Sequence, residues 1–191
     1  MANKILISEQ DGTPKQICFA DHADDFSPAA GTSLEFGTPT ECQIILAALA
    51  DGAARQSVKV DLGTERAQAY KVRAAFEMAA TPTTGDVIEL YWAPSSSSTA
   101  AYGNPANVTG ADAAYAGYSA NLGASVLQLD MIGVFVCTVQ ITGTVQVAEI
   151  GIFQPTERYG SLVVKNESAA AFHSDDVECH VVFDPIVPEI Q

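Results

Sequence analysis

Charge is sparse in this chain. Charged residues make up 17% of its 191 positions, against about 25% in an ordinary soluble domain. Basic residues are scarcer still, 9 against 23 acidic ones, for a net charge of -14. Nucleic-acid binding depends on Lys and Arg neutralising phosphate, so that class is excluded, and so is an anionic membrane surface. No apolar run approaches the roughly 20 residues of a membrane span. The opening Met1-Ala-Asn-Lys-Ile-Leu-Ile has three apolar residues in a row before Ser8. No secretory signal is expected there, and the chain is expected to be made and to stay in a cytoplasm. Its cysteines, Cys18, Cys42, Cys137 and Cys179, show no C-x-x-C spacing. Four free, mostly buried thiols are expected, with no disulfide or metal knuckle.

Catalytic signatures are missing too. There is no G-x-S-x-G, H-E-x-x-H, phosphate-binding loop or G-x-G-x-x-G. The three histidines, His22, His173 and His180, form no H-x-H cluster. His180 falls on the outward phase of its strand, where a solvated or interface histidine is expected. His22-Ala23-Asp24-Asp25 and His173-Ser174-Asp175-Asp176 place paired acids in loops, but neither has the alternating ladder of a calcium loop. Asp turns bonded to their own backbone are the simpler reading. Paired carboxylates for glycoside hydrolysis can come from any two strands, and nothing singles out a pair. No catalytic, cofactor-binding or metal-ligating residue is assigned.

What is present is alternation. Tyr70, Val72, Ala74, Phe76 and Met78 alternate with Lys71, Arg73, Ala75 and Glu77; Ile88, Leu90 and Trp92 alternate with Val87, Glu89 and Tyr91. A period of two separates a buried face from an outer one, as only a strand does. Joined across Thr81–Asp86, these two are expected to form a hairpin. Ile132–Ile141 and Val145–Phe153 read as a second hairpin turning at Gly143, apolar on both faces in places and so central. The stretch Tyr159–Asp184 supplies two more strands, with Leu162–Lys165 buried on both sides and Pro185 and Pro188 closing the second. Val58, Val60 and Leu62 mark another strand.

Other segments are less regular. Lys4–Ser8 and Gln16–Ala20 read as short strands around an Asp11-Gly12-Thr13-Pro14 turn. Residues 20–32 read as an ordered loop on the chain's own domain or an extended arm. Ile44–Leu49 leans towards strand over helix. Pro94–Leu122, rich in Ser, Gly and Asn, reads as a long loop with one or two helical turns over Ala111–Tyr118.

Eight or nine closely spaced strands without strand–helix alternation predict an all-β fold. It is a two-sheet antiparallel β-sandwich, jelly-roll or Greek-key, with at most short helical turns. The expected division is an N-terminal arm or hairpin region over 1–52, possibly part of the sandwich, the sandwich over 53–184, and a tail over 185–191. A neutral Ala/Ser/Thr surface on such a sandwich suits a protein packed against copies of itself or another protein.

Two stretches carry a family resemblance. They are Gly110-Ala111-Asp112-Ala113-Ala114-Tyr115-Ala116-Gly117-Tyr118, after a strand ending in Trp92 and a Ser-rich loop, and Arg158-Tyr159-Gly160 through Asp175. With them, residues 65–184 resemble small structural proteins of tailed-bacteriophage virions: capsid decoration (cement) proteins, head fibres or tail components. The resemblance implies a non-enzymatic virion protein, assembled in the host cytoplasm, without cofactor. The implied partners are copies of itself, with a trimer expected, and the major capsid protein or another virion protein. The alternative is a carbohydrate-binding or tail-adsorption module using Trp92, Tyr102, Tyr115 and Tyr118 to stack on sugars.

Overall fold

The computed structural model describes residues 15–64, 66–139 and 141–186. The expected strand at Lys4–Ser8, the Asp11–Pro14 turn and Pro188 lie outside them. In chain order the strands are β1 (Ile17–Ala20), β2 (Thr40–Gln43), β3 (Ala54–Gln56), β4 (Val60–Asp61), β5 (Ala69–Glu77), β6 (Val87–Ser95), β7 (Ala113–Tyr115), β8 (Asp130–Val136), β9 (Val145–Phe153), β10 (Tyr159–Glu167) and β11 (His180–Ile186). One sheet runs β2-β1-β11-β5-β9. The other runs β7-β3-β10-β6-β8, with β4 also on β10. All pairs are antiparallel except β1 with β2.

The wiring is that of a jelly roll. Eight strands, β1-β11-β5-β9 over β3-β10-β6-β8, make the two facing sheets, and among these eight the chain changes sheet at every step except β6 to β8. The expected hairpins are therefore corrected. β5 and β6 exist where alternation placed them, but β5 pairs with β11 and β9 while β6 pairs with β10 and β8. The same holds for β8 with β9 and for β10 with β11. Alternation reports which face of a strand is buried; it carries no information on which strand lies beside it.

Packing explains the burial pattern. Between the sheets lies the main core, where Trp92, Phe153, Phe183, Phe19 and Tyr70 stack at one end and Phe76, Phe135 and Phe172 at the other. Each sheet also has a covered outer face. Phe26 and Leu34 lie over Cys18, Ala20, Ala75 and Val182. On the other side Ala106, Val108, Leu122, Val126 and Leu129 lie over Tyr91, Ala93 and Val163. Residues 21–34 thus fold back on their own sheet, which β1 and β2 also join. Leu162–Lys165 is central, as expected: Val163 and Val164 are both fully buried.

Other expectations shift. β8 and β9 are edge strands, not central ones; their two-sided apolar character leaves side chains in solvent. Of the strand expected around Val58, Val60–Asp61 is formed, as β4; β3 precedes it and both lie on β10, where at the break between them Ser57 Oγ accepts from Leu162 N at 3.0 Å and Lys59 reaches the 95–102 loop. β11 runs through Pro185, which lies opposite Tyr70. β1 pairs with β11 only as far as Phe183, so at Pro185 the strand has one neighbour and a missing N–H is tolerated. The helical turns fall at Tyr118–Gln128, including α1 (Leu122–Ser125), and residues 113–115 are β7 instead.

Candidate interaction surface

The Ser-rich loop is held from inside. The Lys59 ammonium lies 2.8 Å from Ser95 Oγ, 3.0 Å from Ser97 O, 2.7 Å from Thr99 O and 2.7 Å from Tyr102 O. Burial draws Lys59 below its ordinary pKa, while these oxygens hold the proton in place. Asn104 donates to Ala100 O (2.7 Å) and Val108 O (2.9 Å). At Gly110, φ is +70° and an added Cβ would stand 2.3 Å from Ala100 O. Beneath the loop, Arg55 grips Asp112 through two 2.7 Å bonds, which raise the guanidinium pKa further. The four loop aromatics are not brought together for sugar stacking. Trp92 is in the core, and Tyr115 is buried with its hydroxyl donating to Ala106 O at 2.7 Å. Only Tyr102 and Tyr118 of the four are exposed.

His180 corrects the outward-phase expectation: it is fully buried under the 21–34 segment. Leu34 N–H donates to its Nε2 at 3.0 Å, so the proton sits on Nδ1, 2.8 Å from Glu178 O. Burial lowers its pKa. Asp176 is also buried, and its Oδ2 accepts from Leu46 N (2.7 Å) and Ala47 N (3.0 Å). Burial raises its pKa. The two acidic stretches meet at one end of the sandwich, where Asp24, then burial, Asp175 and Asp21 push the Asp25 carboxyl up. Among the described residues, no group of three or more His, Cys, Asp or Glu side chains is arranged to hold a metal ion.

The thiols are free and buried, as expected. Burial pushes Cys42 and Cys179 up to about 12 and Cys137 up to about 11, with Cys18 higher still. None is a nucleophile at neutral pH.

The unusual surface is the β8–β9 side. Met131 (55% exposed), Val134 and Val136 on β8 stand on the outer face of one sheet, and Val147 and Ile152 (65% exposed) on β9 stand on the outer face of the other; Leu127, Val139 and Ile141 are exposed as well. From Leu127 to Ile152 the sequence has no Lys, Arg or Pro and two carboxylates, Asp130 and Glu149. Glu149 is paired with Lys71 at 2.6 Å. The two edges approach at Gly133, where a Cβ would lie 2.8 Å from Ile150 Cγ2. Beyond that point they part around a groove of about 350 Å³ lined by Phe135, Val136 and Thr144–Ala148. Gln146 spans its mouth, accepting from Thr138 N at 2.8 Å. Edge strands usually carry lysine or proline that blocks association; these carry neither. The sequence carries this signal as two-faced apolar strands without cations, a pattern that edge and central strands share. No protein-family model matches the chain, and no curated protein matches it.

Proposed function

We propose that the chain is a non-enzymatic structural protein of a tailed-phage virion, a capsid decoration (cement) protein that bridges capsid subunits and assembles with copies of itself. The observation that carries this reading is the β8–β9 edge, where two edge strands without lysine or proline leave apolar side chains exposed on the outer face of each sheet. Patches of that kind mark contact with other proteins. The rigid jelly roll, with its loops tied down by Lys59, Arg55 and Asp176, supplies a stiff adapter. The motifs at 110–118 and 158–175 support the virion setting. The mechanism is mechanical: whatever binds the assembled shell and not its separated subunits stabilises the shell by mass action.

Phage heads with and without the chain provide the test. Heads carrying it are expected to rupture at a higher temperature, and the chain to copurify with them in fixed proportion to capsid protein. Absence from particles, or turnover of a substrate by the purified chain, would contradict the reading.

A specific observation favours a second reading, a sugar-binding adsorption module. Tyr102, 67% exposed, is followed by Gly103, which lines an open groove of about 400 Å³ with Asn104, Pro105, Thr156 and Glu157. Binding on a glycan array, lost in Tyr102→Ala, would promote this alternative.

A further inference from the structure

We propose that residues 21–34 are an acid-released latch: a proton taken up by the buried His180 imidazole frees this segment from the outer face of its sheet. The latch goes beyond the virion reading and does not rest on it. Polar contacts hold the segment along its length. Gln43 grips its start, accepting from Ala23 N at 3.0 Å and donating to the Asp21 carboxylate. Glu178 holds its middle, accepting from Ala29 N at 2.9 Å and from the Thr32 hydroxyl. At its end, Leu34 O accepts from Gln16 Nε2 at 3.0 Å and from Arg73 at 3.3 Å, and Leu34 N–H donates to His180 Nε2 at 3.0 Å. Its apolar contact with the sheet is small: Phe26 and Leu34 lie over Cys18, Ala20, Ala75 and Val182. A segment that buries so little apolar surface can open while the rest of the fold stays closed.

Among these contacts, the one to His180 is reversed outright by a proton. Nδ1 already carries a hydrogen, 2.8 Å from Glu178 O. A second proton must take the Nε2 lone pair, which then turns from an acceptor into an N–H aimed at the Leu34 N–H. Lifting the segment removes that clash and lets water reach the ring. The surrounding charges do not cancel the effect. Glu178 beside the ring and Glu35 just past the segment favour the imidazolium, but burial opposes it more strongly, and His22 on the segment adds to burial. On the same outer face stand Cys18 of β1, Glu41 of β2 and Arg73 of β5, the last paired with Asp184 of β11 at 2.6 Å. The open form therefore binds the proton more tightly than the closed one. Opening is favoured as pH falls below about 6.5, the value of a free imidazole.

Cys18 reports the opening. It lies under the segment, whereas Cys42, Cys137 and Cys179 lie in the main core between the sheets. The full chain is to be treated between pH 7.5 and 5.5 with a dipyridyl disulfide, a reagent that attacks thiols in acid. Labelling at each cysteine is read by mass spectrometry and normalised to the urea-unfolded chain at the same pH. Labelling of Cys18 is expected to speed up on acidification by up to about tenfold, the limit for one proton across that range, while the three core thiols stay protected. In His180→Asn, whose amide oxygen can accept from Leu34 N but does not titrate, the acceleration is expected to vanish. Labelling of Cys18 that is flat with pH would overturn the proposal. So would a rise in step with the core thiols, which is unfolding of the sandwich, or a rise undiminished in His180→Asn. The wild-type series decides even if the variant fails to fold.

Discussion

Gly160 shows how closely single positions are set. An added Cβ would lie 2.2 and 2.3 Å from ring atoms of Trp92 and 2.8 Å from Ala93 O. The indole is fully buried among Phe153 and Phe183 and has nowhere to move. Gly160→Ala is expected to cost about 1–3 kcal/mol or more by overpacking, read as a lower midpoint in chemical denaturation; an unchanged midpoint would contradict this packing. His180 gives the second residue-scale prediction. Its folded pKa is lowered, so the unfolded chain binds the proton first. Its contribution is complete above about 6.5, the unfolded value, and declines as pH falls below it. Protonation also puts an N–H against the Leu34 N–H that Nε2 now accepts. Stability measured from pH 7.5 to 5 is expected to fall, and His180→Asn is expected to flatten that slope. Asp176, with its pKa raised, has the opposite sign: its contribution is present below about 3.8 and lost as pH rises through the folded value.

At the scale of elements, the sequence disclosed strands far better than their partners. β5 and β6 stand where a period of two placed them, since that period follows directly from the pleat, and β10 stands where a short apolar run did. Their neighbours are set by which loops cross from sheet to sheet, and no local pattern encodes that. Ile44–Leu49 failed differently. Its apolar run suggested strand, but Asp112, Asp176 and the carbonyls of Ala20 and His173 take the N–H groups of Ile45, Leu46, Ala47, Ile44 and Ala48. Residues up to 130 positions away decide the local structure, as Asp176 does for Leu46. Asp176→Ala should therefore free this segment, costing about 2–3 kcal/mol and speeding amide exchange at Leu46 and Ala47. Exchange equal to that of the wild type would show that the clamp is not what orders the segment. The buried His180 was missed for a related reason: period two located its face, while the 21–34 segment covering that face lies some 150 residues upstream.

The whole molecule is a stiff, acidic sandwich with one side, the β8–β9 edge, whose two strands leave apolar side chains exposed. Composition revealed the acidity and the sparse charge; the edge position of β8 and β9 turned apolar strands into surface. The central claim is that this side is covered when the protein works. Met131 reports on it directly, with buried Met78 as an internal reference. Radical oxidation of methionine, quantified by mass spectrometry, should be compared in phage particles and in the released, diluted chain. Strong protection of Met131 in the particle, with Met78 slow to react in both, is the predicted result; equal oxidation of Met131 in the two states would contradict it.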